Sequence, residues 1–262
     1  MINPSPARKV RLIARLDIKG PNVIKGVHLE GLRVVGNPES ISHAYYEAGI
    51  DELLFMDVVA SLYGRNHLTS LLEKTTERIF VPITVGGGIR TIDDARNLLR
   101  HGADKVAINT AAISRPELLQ EIAEHFGSQC VVLSVEAKKI GPDRWEVFTE
   151  NGREKTGREV QDWVQEAVER GVGEILLTSV DREGTRKGMD LELIQGVTAR
   201  VSIPVIASGG VGKPSDAAAA VLEGGADAVA VADLLHYGRA SIPELREVMR
   251  KAGVITRSFC AN

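Results

Sequence analysis

The sequence predicts a (β/α)8 barrel, and three observations support that fold class. The chain has 262 residues, close to the roughly 250 residues of a typical single-domain barrel. Short apolar runs of strand length alternate along it with longer amphipathic segments, as in parallel sheets covered by helices. Eight such pairs follow one another. An open doubly wound sheet is the alternative, but no Gly-x-Gly-x-x-Gly fingerprint follows a predicted strand.

The predicted strands are mostly continuous apolar runs rather than alternating ones. This pattern is expected where parallel strands are buried on both faces. In chain order the strands cover residues 11–17, 52–57, 81–86, 105–109, 131–136, 174–179, 203–208 and 228–232.

An amphipathic segment of helix length follows each predicted strand. The third of these begins at Thr91 with Asp94 three residues later, which is the spacing of a capping box. In chain order the predicted helices cover residues 38–49, 66–78, 91–102, 115–126, 157–171, 191–200, 214–224 and 242–251.

An internal repeat divides the chain into two halves. The segment VPITVGGGI at 81–89 matches IPVIASGGV at 203–211, and LDIK at 16–19 matches VEAK at 135–138. Two further matches, DELL with GEIL and GAD with GAD, keep the same order and nearly the same spacing. Convergent use of Gly, Ala and Asp in similar units is the alternative explanation. We interpret residues 1–262 as one barrel domain built from duplicated half-barrels at about 10–125 and 126–255.

The composition argues against several classes of function. The chain has 35 acidic and 32 basic residues, so it lacks the positive excess typical of proteins that bind nucleic acid or anionic membranes. Residues 1–11 lack the apolar core of a signal peptide, and no apolar run has the length of a membrane helix. Cys130 and Cys260 are not spaced as metal ligands, and neither a metal nor another cofactor is expected. We expect a cytoplasmic protein.

Two carboxylates occupy equivalent positions in the two halves. Asp17 ends the first predicted strand and Glu136 ends the fifth. Barrel enzymes carry their active sites at the carboxyl ends of the strands, so the two side chains would face each other across a ligand. Such a pair suits general acid–base catalysis. The alternative is that each carboxylate pairs with the lysine two residues later, Lys19 or Lys138.

Glycine pairs follow the third and seventh predicted strands. Gly87 and Gly88 lie in the first cluster, and Gly209 and Gly210 form the second. Backbone N–H groups at such positions can approach an anion because no Cβ intervenes. Asn109–Thr110, after the fourth strand, could donate further hydrogen bonds. We interpret the two clusters as sites for a ligand with a phosphate at each end; tight turns are the alternative.

Charged residues of alternating sign begin four predicted strands. They would form a ring at the amino-terminal mouth of the barrel, where opposite charges could pair. On residue types alone, a stabilising plug is the favoured interpretation. The four residues are Arg11, Glu52, Lys105 and Glu174.

The chain resembles the cyclase subunit of imidazole glycerol phosphate synthase, over almost its whole length. The motifs that carry the resemblance are LDIK at 16–19 with VIKG at 23–26, TVGGGIR at 84–90, GADKV at 102–106 with INTAA at 108–112, FGSQ at 126–129, GEILLTS at 173–179 and IASGG at 206–210.

The resemblance implies an ammonia-using cyclase and lyase of histidine biosynthesis. Its substrate would be a bis-phosphorylated ribulosyl formimino aminoimidazole carboxamide nucleotide, and its products imidazole glycerol phosphate and AICAR. A glutaminase subunit docked as a heterodimer at the amino-terminal face would supply ammonia through the barrel. The charged ring would then be an ammonia gate rather than a plug.

The resemblance also implies roles for individual residues. Asp17 matches the first catalytic carboxylate, and Lys25 matches a substrate-contacting lysine in the loop after the first strand. One phosphate site would include Gly87, Gly88, Asn109 and Thr110. The other would include Glu183, Gly184, Gly209, Gly210, Ala232 and Asp233.

Three residues depart from the resembled pattern. Glu136 and Glu183 stand where the family has aspartates, and a glutamate moves the carboxylate outward by one methylene. Asp233 stands where the family has a serine beside phosphate. Two unit charges of like sign about 4 Å apart repel by roughly 4 kcal/mol at an effective dielectric of 20. A ribose hydroxyl or an amine would suit Asp233 better.

These departures leave two further functions open. The first is a paralogous subunit that uses ammonia to amidinate an acetamido sugar for surface polysaccharides. The second, from another class, is a non-catalytic scaffold that activates a glutaminase, although the presence of Asp17 and Lys25 argues against it.

Overall fold

The computed structural model describes residues 9–59 and 68–258. The described residues hold twelve strands, which are β1 (Arg11–Lys19), β2 (Asn22–Val27), β3 (Glu30–Gly36), β4 (Glu52–Asp57), β5 (Ile83–Gly86), β6 (Lys105–Ile108), β7 (Val131–Gly141), β8 (Arg144–Thr149), β9 (Glu154–Glu159), β10 (Glu174–Ser179), β11 (Val205–Ser208) and β12 (Ala228–Val231).

Eight of these strands close into the predicted (β/α)8 barrel. The parallel order is β10-β11-β12-β1-β4-β5-β6-β7, and β7 pairs with β10 to complete the circle. All eight predicted barrel strands are present, with ends that differ by a few residues. The open doubly wound sheet is excluded because the sheet has no free edge among these eight strands.

Helices surround the barrel in the order that the sequence predicts. The described helices are Pro38–Glu47, Leu68–Thr76, Ile92–Arg100, Thr110–Ser114, Glu117–Phe126, Val160–Glu169, Leu191–Thr198, Pro214–Leu222, Asp233–His236 and Ile242–Lys251. The Thr91 hydroxyl accepts a hydrogen bond from the backbone N–H of Asp94 at 3.1 Å, which confirms the capping box. No helix within the described ranges is both long and apolar enough to cross a membrane.

Two antiparallel hairpins were not predicted. Strands β2 and β3 extend β1, and strands β8 and β9 extend β7, beyond the mouth of the barrel. Residues 157–159 were predicted as the start of a helix, but they belong to β9, and the helix begins at Val160. The predicted helix at 66–78 begins at Leu68 among the described residues, and 66 and 67 lie outside them.

The core has two layers, as expected for a barrel. The larger layer lies between the strands and the helices and includes Phe55 and Trp163. A smaller apolar cluster fills the inside of the barrel. Its buried members are Ile13, Leu54, Ala107, Val132, Leu176, Ile206, Ala228 and Ala230. Inward-facing positions beyond this cluster, toward the two mouths, carry the polar and charged side chains described next.

Candidate active site

The four charged residues at the amino-terminal mouth form a closed ring of ion pairs. Arg11 bridges Glu52, with Nη1 2.7 Å from Oε2, and also pairs with Glu174. Lys105 Nζ lies 2.7 Å from an oxygen of each carboxylate. Glu52 also accepts a hydrogen bond from the Thr84 hydroxyl at 2.7 Å. The structure therefore brings together all four residues that the sequence placed at this mouth.

Asp17 lies on β1 near the opposite mouth, where it is almost fully buried. Its Oδ1 accepts a hydrogen bond from Arg15 Nε at 2.8 Å, and its Oδ2 lies 3.4 Å from Lys25 Nζ. Burial alone would raise the pKa of Asp17, but the charges of Arg15 and Lys25 outweigh burial and lower that pKa to about 2. The alternative pairing with Lys19 is wrong, because Arg15 and Lys25 occupy both carboxylate oxygens.

Glu136 lies on β7 and is also buried, but its surroundings are different. Its Oε2 accepts a hydrogen bond from the backbone N–H of Gly152 at 2.8 Å. Burial raises the pKa of Glu136 to about 7, because the Gly152 hydrogen bond and the charge of Arg15 offset only part of the desolvation. The alternative pairing with Lys138 is also wrong, since Lys138 Nζ lies over the ring of Phe148, 4.7 Å from its centroid.

One cavity joins Glu136 to the first predicted phosphate site. It has a volume of about 320 Å³ and is lined by Glu136, Gly87, Gly88, Asn109 and Thr110, among others. Gly87 has a φ of +102°, and a Cβ there would lie 2.3 Å from the carbonyl oxygen of Asp57. The glycine thus permits the close approach of two strand ends that shapes this cavity.

Lys25 links the β2–β3 hairpin to the mouth of the barrel that holds Asp17. Its buried ammonium pairs with Glu183 as well as with Asp17. The hairpin also contacts the loop after β10, because the His28 backbone N–H donates to the carbonyl oxygen of Glu183 at 2.8 Å. A Cβ on Gly184 would lie 2.3 Å from the carbonyl oxygen of Gly26. Glu183 and Gly184 therefore hold the hairpin over the mouth.

The second glycine pair is tightly packed against protein. A Cβ on Gly209 would lie 2.8 Å from the carbonyl oxygen of Ser179, and a Cβ on Gly210 would lie 2.3 Å from that of Gly188. The cavity beside them, which Ala232 and Asp233 also line, has a volume of only about 20 Å³. Both positions therefore require glycine, because the loop after β10 packs too closely against them to leave room for a Cβ.

Arg15 is a central residue that sequence reasoning did not single out. It is buried and reaches across the barrel, with Nη1 3.0 Å from the Thr178 hydroxyl and 3.2 Å from the Ser208 hydroxyl. A signal was available, because Arg15 and Asp17 are two residues apart on one strand and so share the inward face. An arginine within an otherwise apolar inner strand needs a partner of this kind.

Two more side chains near the site were missed. The Glu150 Oε2 atom is buried and has no hydrogen-bond partner among the described residues, and the residue adopts a φ of +52° in the turn between β8 and β9. His236 Nδ1 lies 2.7 Å from the Tyr45 hydroxyl. Burial, followed by the charge of Lys25, lowers the pKa of His236 to about 4. Neither residue lies in a sequence pattern that indicates a site.

Comparison with known proteins decides the family. A family model described as "Histidine biosynthesis protein" matches residues 11–241 of the chain. The chain belongs to this family.

Relatives within the family carry one name. A protein of Legionella pneumophila named "Imidazole glycerol phosphate synthase subunit HisF" is 67% identical over 204 residues, which cover 78% of this chain and 96% of that protein. Proteins of the same name from Myxococcus xanthus and Hyphomonas neptunium are 49% and 48% identical, each over 95% of this chain and 98% or more of the relative. The predicted function, the cyclase subunit of this synthase in histidine biosynthesis, is confirmed. Nothing in the comparisons favours the sugar-amidinating or scaffold alternatives.

Proposed function

We propose that Asp17 and Glu136 are the acid–base pair of the cyclase reaction. The observation that carries this proposal is the opposite displacement of their pKa values, to about 2 for Asp17 and about 7 for Glu136. Pairs of titratable groups whose environments separate their pKa values mark acid and base roles. At neutral pH, Asp17 is an ionised carboxylate that can accept a proton, while Glu136 keeps a large protonated fraction that can donate one.

The chemistry requires both roles. When ammonia attacks a carbonyl carbon, the nitrogen must lose two protons in turn, and the carbonyl oxygen must gain two before it leaves as water. When the carbon–nitrogen bond that releases the aminoimidazole product breaks, the departing nitrogen must gain a proton. Positioned side chains that carry out such transfers accelerate reactions by about 10²–10⁴-fold each. The glutamate at 136 suits this role because its pKa lies near the operating pH.

We propose that the ligand spans the mouth with one phosphate at each end. The first phosphate would lie beside Gly87, Gly88, Asn109 and Thr110, which share the 320 Å³ cavity with Glu136. The second would lie on the side of Gly184, Gly209, Gly210, Ala232 and Asp233. Lys25 would contact the ligand from the hairpin, with Glu183 holding its ammonium in place.

We propose that ammonia enters through the ring of Arg11, Glu52, Lys105 and Glu174. The interior between this ring and Asp17 is filled by the apolar cluster that includes Ala107, Ala228 and Ala230, so ammonia would have to pass between these side chains. An apolar passage favours neutral ammonia over ammonium, because moving an unpaired charge into it is costly. Opening the ring would require at least one of its ion pairs to separate.

A glutaminase subunit is the proposed source of the ammonia. Three large apolar side chains are exposed on the face that surrounds the ring, which are Phe80 (76% exposed), Leu222 (54%) and Ile255 (45%). Each belongs to a segment that lies at the amino-terminal ends of the barrel strands. A partner that docks on this face would cover these three side chains. We also retain the cytoplasmic location that the sequence predicts.

We infer that the barrel arose by duplication of a half-barrel. The two copies would be residues of about 10–125 and 126–255. The two unpredicted hairpins support this inference, because each follows the first strand of a half. Asp17 pairs with Ile24 of the first hairpin, and Glu136 pairs with Phe148 of the second. The catalytic carboxylates therefore occupy the same place in each half, at the point where a barrel strand continues into its hairpin.

Turnover with free ammonia tests the proposed roles without the partner. The purified chain would be given ammonium chloride and the bis-phosphorylated nucleotide, and imidazole glycerol phosphate formation would be followed. We expect the chain to turn over, and Asp17→Asn and Glu136→Gln each to lose most of kcat while still binding the substrate. Two variants with unchanged kcat would refute the acid–base assignment.

A further inference from the structure

A basic cavity lies beside the β2–β3 hairpin, on the side away from the Gly87–Gly88 cavity. It has a volume of about 550 Å³. Four cationic side chains line it, Lys25, Arg33, Arg186 and Arg239, against two carboxylates, Glu30 and Asp233. Lys25 is already paired with Asp17 and Glu183, so the other five charged side chains leave one net positive charge, which suits an anionic ligand group.

Asp233 holds two of these arginines together. Its Oδ1 lies 2.6 Å from Arg239 Nη1 and 3.8 Å from Arg186 Nε. The Asp233 side chain is only 13% exposed, whereas those of Arg186 and Arg239 are 48% and 34% exposed. Each guanidinium has five N–H donors, so contacts with one carboxylate leave donors available to a ligand. The negative charge of Asp233 is thus already paired before an anion arrives.

The backbone at Arg186 is conformationally strained. Arg186 has a φ of +61°, a conformation that side-chain-bearing residues seldom adopt. A Cβ on Gly212 would lie 2.2 Å from the Arg186 carbonyl oxygen, so the loop reaches this position only because residue 212 is glycine. Backbone strain that the surrounding structure enforces is concentrated at functional sites.

The space beside the second glycine pair is much smaller. The cavity against Gly209 and Gly210 has a volume of about 20 Å³, whereas the arginine-lined cavity has a volume of about 550 Å³. The arginine-lined cavity is contiguous with this space, because Lys25, Gly184 and Asp233 line both.

We propose that Arg186 and Arg239, positioned by Asp233, bind one phosphate group of the substrate. Guanidinium groups match the oxygens of a phosphate monoester and can donate two parallel hydrogen bonds to it. Asp233 acts as a positioning residue for the two arginines, which removes the repulsion that an aspartate beside phosphate would otherwise cause. The identity of the phosphate-bearing ligand rests on the proposed function.

Steady-state kinetics with ammonium chloride tests the two arginines. We expect Arg239→Ala and Arg186→Ala each to raise KM for the bis-phosphorylated nucleotide about tenfold or more, because each loses a charge-assisted hydrogen bond. We expect kcat to change little, and Arg239→Lys to recover much of the affinity. Arg144→Ala, which removes an exposed arginine paired with Glu159 elsewhere on the surface, is the matched control. A KM equal to that of the parent chain in both alanine variants would overturn the proposal.

A titration with inorganic phosphate separates this proposal from the proposed function. Followed by ³¹P NMR, the parent chain should bind phosphate at two sites, and the Arg186→Ala/Arg239→Ala double variant at one. This result would stand even if the parent chain failed to turn over the nucleotide. Equal phosphate binding by the two proteins, with unchanged thermal unfolding, would overturn the arginine site whatever the outcome of the activity assay.

Discussion

Arg15 Nε donates a hydrogen bond to Asp17 Oδ1 at 2.8 Å inside the barrel, where both side chains are almost fully buried. The two residues lie on one face of β1, and Arg15 also contacts Thr178 on β10 and Ser208 on β11. The guanidinium therefore fixes the orientation of the carboxylate and keeps it ionised. The charge of Asp17 in turn stabilises a buried arginine that would otherwise be costly.

Replacing Arg15 should change the titration of Asp17. In Arg15→Met the largest influence that lowers the pKa of Asp17 is lost, so burial should dominate and the pKa should rise. We expect the acid limb of the kcat/KM profile to move to higher pH by at least one unit, and the midpoint of thermal unfolding to fall. Arg100→Met, at an exposed helical position, is the control and should leave the profile unchanged. An unmoved acid limb in Arg15→Met would contradict the account.

Replacing Asp17 by asparagine should remove the base while keeping its shape. We expect kcat with ammonium chloride to fall by about 10²–10⁴-fold, the usual contribution of a general base, with KM changing only a few-fold. Asp143→Asn, in the exposed turn between β7 and β8, provides a matched carboxylate control. The assignment fails if the Asp17 and Asp143 variants have similar kcat values.

Glu136 should make stability depend on pH in an unusual direction. Its pKa of about 7 lies above the ordinary value of 4.5, so the folded chain binds this proton more tightly than the unfolded chain does. The resulting stability is present below about pH 4.5 and is lost as pH rises through 7. We expect Glu136→Gln to unfold at a higher temperature than the parent chain at pH 8, with a much smaller difference at pH 4.5. The exposed Glu247→Gln should show neither effect, and a Glu136→Gln advantage confined to low pH would have the wrong sign.

Glu150 should adjust the pKa of Glu136. Its negative charge raises that pKa, so Glu150→Gln should lower it, and Glu136 should ionise at lower pH. Since the proposed acid must be protonated, the decline of kcat on the alkaline side should begin at lower pH than in the parent chain. The assay is a pH profile at constant free-ammonia concentration, with Glu154→Gln on the exposed strand β9 as control. A shift to higher pH would show that the two carboxylates do not interact as described.

Reversing the charge of Lys105 should affect the ammonia route more than the chemistry. Lys105 pairs with Glu52 and Glu174, so Lys105→Glu places three carboxylates in the ring and breaks both pairs. We expect glutamine-dependent turnover, measured with the glutaminase partner, to fall on the order of tenfold more than ammonium-dependent turnover, because breaking buried ion pairs is strongly disruptive. Lys74→Glu, on an exposed helix, is the control. Equal losses with the two nitrogen sources would argue against the gate.

The barrel itself could be predicted because its strands are buried on both faces. Segments such as Ala228–Val231 are apolar throughout, so their burial can be predicted from the sequence. The hairpin strands could not be predicted in this way. No residue of β3 or β9 is fully buried. These strands are held by pairing to β2 and β8 rather than by an apolar run.

The site could be predicted in part, and the limits have a physical cause. Asp17 and Glu136 were found because strand ends and an internal repeat are visible in one dimension. Their partners were not, because Lys25 and Glu183 are 158 positions apart and meet only when the hairpin closes. The opposite pKa displacements depend on burial, on Arg15 and on the Gly152 N–H, none of which a sequence pattern specifies. Asp233 was expected to repel phosphate, whereas its pairing with Arg239 changes that expectation.

A direct titration of Glu136 tests the acid–base pair most sharply. The chain would be labelled with ¹³C at the glutamate side-chain carboxyls, and its spectra would be compared with those of Glu136→Gln between pH 4 and 9. We expect one resonance, absent from the variant, that titrates near pH 7. A Glu136 resonance that titrates near the ordinary glutamate pKa of 4.5 would contradict the assignment of Glu136 as the proton donor.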